Sequence, residues 1–73
     1  MDVENLVHMA NRIGEFFQAM PDRDEGLEGI AQHLRKFWEP RMRRALLSHL
    51  DATAGAGLLP IVRESLLGHR DIL

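Results

Sequence analysis

Residues 21–40 read PDRDEGLEGIAQHLRKFWEP, and this stretch decides the fold. It is fenced by Pro21 and Pro40. Asp22 followed by Glu25 has the spacing of a capping box at a helix start, with Asp where Ser or Thr is usual. From there Leu27, Ile30, Ala31, Leu34, Phe37 and Trp38 recur at helical gaps and form one apolar stripe. Glu28, Gln32, Arg35 and Lys36 fall on the opposite face. The spacing predicts a helix over 23–38, stopped by Pro40, which is well placed as the first residue of the next helix.

Upstream, the same period holds. Leu6, Met9, Ala10, Ile13, Phe16, Phe17 and Met20 describe one face of a helix over 3–20. Asp2 can cap its start, and Glu4 in the first turn suits the helix dipole. Pro21 ends it, because a proline ring disfavours helical geometry in the residue before it. Gly14 costs about 1 kcal/mol relative to Ala in such a helix, so a close approach by another helix is expected there. Downstream, Met42, Ala45, Leu46 and Leu50 mark a third helix over 40–50. Arg41 and Arg44 flank that face, with Arg43 further round. DATAGAG, residues 51–57, is the one breaker segment and reads as a flexible link. LLPIVRESLLG then predicts a short fourth helix over 59–67, with Leu58, Val62 and Leu66 along one side and Gly68 as its C-cap. HRDIL at the end should fray or dock. The short, proline-containing connection makes the first two helices antiparallel neighbours. The expectation is an all-α chain: a single helical domain, 1–73, of three main helices and a short one.

Composition narrows the function. The chain has 73 residues, net charge −2 and no Cys. It is too short for a dinucleotide fold or a barrel enzyme. Without Cys it has no disulfide, no thiolate metal site and no ligand for an iron–sulfur cluster, which fits a reducing compartment. No apolar run approaches the roughly 20 residues that span a bilayer. The opening MDVENL is acidic where a signal peptide would be basic. A soluble, cytoplasmic chain with no membrane contact is expected.

Catalytic constellations are not evident. His8, His33, His49 and His69 are separated by 25, 16 and 20 residues, and none has the short spacing that puts two ligands on one helix face. Asp22, Asp24, Glu25 and Glu28 cluster where capping and dipole compensation account for them. Ser48 and Ser65 lack a nucleophile-elbow context, and the GAG of Gly55 to Gly57 follows no strand. The chain reads as non-catalytic by itself.

The charge is polarised. Residues 1–34 hold seven acids against two bases, and residues 35–73 seven bases against four acids. The most distinctive stretch, HLRKFWEPRMRRALL at 33–47, sets five bases around Phe37 and Trp38. Trp and Arg are enriched at protein–protein hot spots, so Arg35, Lys36, Trp38, Glu39, Arg41, Arg43 and Arg44 form a candidate partner interface. One alternative is stacking and phosphate contact in a small nucleic-acid-binding regulator; the acidic first half opposes it, and no nucleic-acid partner is expected. Another is pairing of these bases with the chain's own acids. The adjacent pairs Phe16–Phe17, Phe37–Trp38 and Leu46–Leu47 cannot each point one way, so some helices need a second apolar neighbour. That neighbour is another part of this chain, another protein, or a second copy in a homodimer formed in isolation.

Particular segments carry a resemblance. MANRIG at 9–14 leading into Phe16-Phe17, FWEPRMR at 37–43, and GAGLLPIVRESL at 55–66 resemble the delta subunit of soluble, multi-subunit, NAD-dependent formate dehydrogenases, from Asn5 to about Leu67. The resemblance implies a small accessory subunit that binds the large subunits and supports holoenzyme assembly, stability or cofactor insertion. It also implies that a bis-molybdopterin guanine dinucleotide cofactor with molybdenum or tungsten, iron–sulfur clusters and FMN sit on the catalytic and NAD-reducing subunits, and that this chain binds none of them. It supplies no catalytic residue; Phe37, Trp38, Glu39, Pro40, Arg41 and Arg43 transfer only as motif positions.

Overall fold

The computed structural model describes residues 2–73, and all its regular structure is helical: α1 (Val3–Phe17), α2 (Arg23–Phe37), α3 (Pro40–Thr53), α4 (Pro60–Gly68) and a 3-10 turn at Arg70–Ile72. The body measures 32 × 22 × 17 Å. Both sequence-predicted N-terminal caps form. Asp2 Oδ1 accepts from the Glu4 amide at 3.0 Å, and Asp22 Oδ1 from the amides of Asp24 at 2.9 Å and Glu25 at 3.4 Å. Pro40 and Pro60 each occupy the first turn of their helix, where the missing N–H costs no hydrogen bond.

Helix boundaries depart from the sequence expectation most at the ends of α1 and α3, and by one residue at the end of α2 and at both ends of α4. α1 stops at Phe17 rather than at residue 20. The amides of Ala19 and Met20 reach back only three residues, to Phe16 and Phe17, so the helix has unwound into turns before Pro21. α3 runs on through Asp51, Ala52 and Thr53, all expected in the link. The stop comes where Ala54 turns left-handed, φ 57°, followed by Gly55 at 78° and Gly57 at 84°. Thr53 supports that end, its Oγ1 donating to His49 O at 2.7 Å and accepting from the Ala56 amide at 2.9 Å. Gly68 is the last residue of α4 and adopts no left-handed cap.

The link is braced rather than looped out. Asn11 of α1 donates from Nδ2 to Gly57 O and accepts at Oδ1 from the Leu59 amide, both at 2.9 Å. His49 Nε2 donates to Ala56 O at 2.7 Å.

The α1–α2 hairpin is closed by Phe17, whose ring lies where a Cβ on Gly29 would stand and whose carbonyl lies 2.8 Å from a Cβ built on Gly26. α4 then packs across both helices. A Cβ on Gly14 would sit 2.5 Å from Val62 Cγ2, which is the close approach expected there. On the α2 side Ser65, fully buried, donates to Leu27 O at 2.7 Å. The core joins Leu6 and Ala10 of α1, Ile30 and Leu34 of α2 with the following Trp38, Leu46 and Leu50 of α3, and Ile61, Val62 and Leu66 of α4. The terminal turn docks: Leu73 packs against this core, and Arg43 Nη1 donates to Ile72 O at 3.5 Å.

Candidate protein-docking surface

The seven residues expected at a partner interface do not share one environment. Trp38 is 6% exposed and Arg43 7%. Both belong to the interior, which corrects the expectation that they form the outer surface. Trp38 caps α2 with extended backbone, ψ 138°, and this bend turns its ring into the core. Arg43 lies one turn before Leu46 and two before Leu50, on the buried side of α3. Its Nε has no hydrogen-bond partner among the described residues, so its guanidinium spends its one bond on the C-terminal turn.

The other five, Arg35, Lys36, Glu39, Arg41 and Arg44, are exposed and gather at the α2–α3 corner. Glu39 and Arg41 approach each other at 3.8 Å, a solvated pair worth little. None of the corner's bases forms an ion pair with the acids of the first half. Those that reach across the molecule lie elsewhere: Arg23–Glu64 at 3.3 Å, and His69 3.6 Å from Glu28. Arg35, Lys36 and Arg44 are thus unpaired among the described residues.

Sequence reasoning missed a second surface. Phe16 and Phe37 were expected within the core stripe, yet they are 71% and 70% exposed. They end a ladder of rings along the outer α1–α2 groove. Phe16 meets Phe17 edge-on at 5.0 Å, Phe17 lies 6.4 Å from His33, and His33 lies 4.8 Å from Phe37. Met9, half out of the core at 37% exposed, and Ile13 share the α1 edge with Phe16 by helical spacing. The signal was available. Leu6, Ala10, Gly14 and Phe17 keep a gap of three or four and point in; Met9, Ile13 and Phe16 form a parallel row about one position round.

The remaining candidates resolve into local structure. His49 braces the link, His69 Nδ1 donates to Ser65 O at 2.9 Å, His33 belongs to the ring ladder and His8 is exposed. Among the described residues no group of three His, Cys, Asp or Glu side chains is placed to hold a metal ion. An open hollow of about 480 Å³ lies between the end of α3 and α4, lined by Leu50, Asp51, Ala54, Arg63 and Leu67. Its charged groups are committed: Asp51 to Arg70 at 2.9 Å and Arg63 to Ala54 O at 3.4 Å. Among the described residues no helix is long and apolar enough to cross a membrane.

Fold and surface together define a small all-helical protein with an outward aromatic groove and an unpaired basic corner. Its family is given by the comparison of sequences. The family model described as NADH-dependent formate dehydrogenase delta subunit FdsD matches residues 5–66, and the chain belongs to that family. Searches of curated proteins and of solved structures returned no match.

Proposed function

We propose that the chain is a non-catalytic accessory subunit of a cytoplasmic formate dehydrogenase, docking on its large subunits and supporting holoenzyme assembly, stability or cofactor insertion. The observation that carries this is the family match over residues 5–66. The surface supports it. Arg35, Lys36 and Arg44 are exposed and unpaired among the described residues, so they are available to carboxylates of a larger subunit. Arginine binds such groups in planar, two-pronged pairs that add specificity and speed association.

Without Cys the chain offers no thiolate for an iron–sulfur cluster. That molybdopterin, clusters and FMN sit on the catalytic and NAD-reducing subunits is part of the same proposal and rests on the family resemblance. The nucleic-acid alternative keeps only the basic corner in its favour, since the exposed rings line a different groove.

Co-expression with tagged large subunits tests the reading. The chain should co-elute in stoichiometric amount, and its omission should lower the yield of assembled, cofactor-loaded enzyme. Quantitative assembly without it, together with no co-elution, overturns the proposal.

A further inference from the structure

Resting on that reading, we propose that the outer α1–α2 groove, rather than the basic corner, is the principal seat of a large formate dehydrogenase subunit, which fills it with an apolar segment flanked by carboxylates. Two exposed phenylalanines stand there. Phe16 lies edge-on to Phe17 and Phe37 lies against His33, so each ring has an aromatic neighbour that favours its outward rotamer. Such aromatic anchors are what interface hot spots are built from.

The rim sets the charge of the occupant. By helical spacing the α1 edge of the groove holds Met9, Arg12, Ile13 and Phe16, and the α2 edge Glu25, Gly29, Gln32, His33, Lys36 and Phe37. Glu25 is the one carboxylate of this set, about three turns along α2 from Lys36. Arg12 and Lys36 are exposed, and neither forms an ion pair among the described residues. An apolar surface framed by unpaired cations complements an apolar surface framed by acids.

Area and charge argue against a second copy. Each phenylalanine offers roughly 100–170 Å² of the 150–250 Å² such a side chain can bury. A stable two-fold interface needs about 800 Å² per partner. This groove reaches that only by extending over its rim, and a two-fold pairing centred on the groove would bring one copy's Arg12 and Lys36 toward the other's. A larger, dissimilar subunit meets the same rim with opposite charge.

The test uses the co-expressed complex. Phe16→Ser with Phe37→Ser alters only side chains that are largely in solvent, so the helical circular dichroism and melting curve should match wild type. Recovery of the large subunits should fall at least tenfold. Arg12→Glu with Lys36→Glu should also reduce recovery, most at low salt. Arg35→Glu with Arg44→Glu should reduce it less than the double phenylalanine variant does. Wild-type recovery with the folded phenylalanine variant overturns the groove assignment while leaving accessory membership intact. Failure of wild type itself to co-elute removes both. A wild-type dimer in dilute solution that the phenylalanine changes dissociate, with subunit recovery unaffected, assigns the groove to a second copy instead and overturns the proposal.

Discussion

The α1–α2 pair has two sides, and they are finished differently. One is sealed by α4. There Gly14 admits Val62, Ser65 satisfies the Leu27 carbonyl, and Val62 and Leu66 lose essentially all contact with water. The other side has no fifth helix, and Phe16 and Phe37 stand in its groove. Each adjacent aromatic pair is divided between the two roles: Phe17 and Trp38 close the bundle, while Phe16 and Phe37 face outward. An aromatic side chain, one position along the chain, thus serves folding in one case and availability in the other.

The sealed side is where the largest effects belong. Leu66→Ala removes a fully buried side chain that α4 presents to the core and should cost about 2–5 kcal/mol. On a domain of this size each kcal/mol moves the melting midpoint by roughly 4–8 °C. Thermal unfolding followed by circular dichroism reads it directly, and a shift of only a degree or two would show that α4 is not needed to close the bundle. Gly14→Val should follow, at about 1–3 kcal/mol. Its Cβ meets the stiff, β-branched Val62, which cannot swing away without moving α4. The better helix propensity of valine offsets only a few tenths of that. A stabilised Gly14→Val protein would mean the two helices sit further apart than described. The smallest effect is expected across the bundle: Phe37→Ala should leave stability within about 0.5 kcal/mol of wild type. A loss near that of Leu66→Ala would break the distinction between the two sides.

Much of this division was legible in the sequence, and the lapses have physical causes. Helix existence followed from period and capping, so Asp22 and Pro40 mark real boundaries. Helix ends were less secure. Asp51 looks like a breaker, yet α3 ends two residues later, at Thr53, because Ala54 and Gly55 are the positions that adopt positive φ. At the candidate surface, Arg43 was read by its charge. Its position relative to Leu46 and Leu50 already put it inward, and a long aliphatic stem lets such a side chain fill core space while its head finds a carbonyl, here that of Ile72. Trp38 was placed both in the apolar stripe, by its spacing from Leu27, Ala31 and Leu34, and on the candidate interface, by residue type; the spacing was the right guide. Phe16 was sortable by its row with Met9 and Ile13, but Phe37 could not be sorted from the stripe alone, because its exposure depends on how far the packed helices cover the end of α2.

The helix that finishes the interior follows the other three in the chain. Ile61, Val62, Ser65 and Leu66 plug the space between the first two helices, and the Asn11 amide waits for peptide groups 46 and 48 residues downstream. A nascent chain therefore shows a greasy, unfinished hairpin until α4 has emerged from the ribosome, and a polypeptide cut short before Pro60 is fit for aggregation or proteolysis rather than for work.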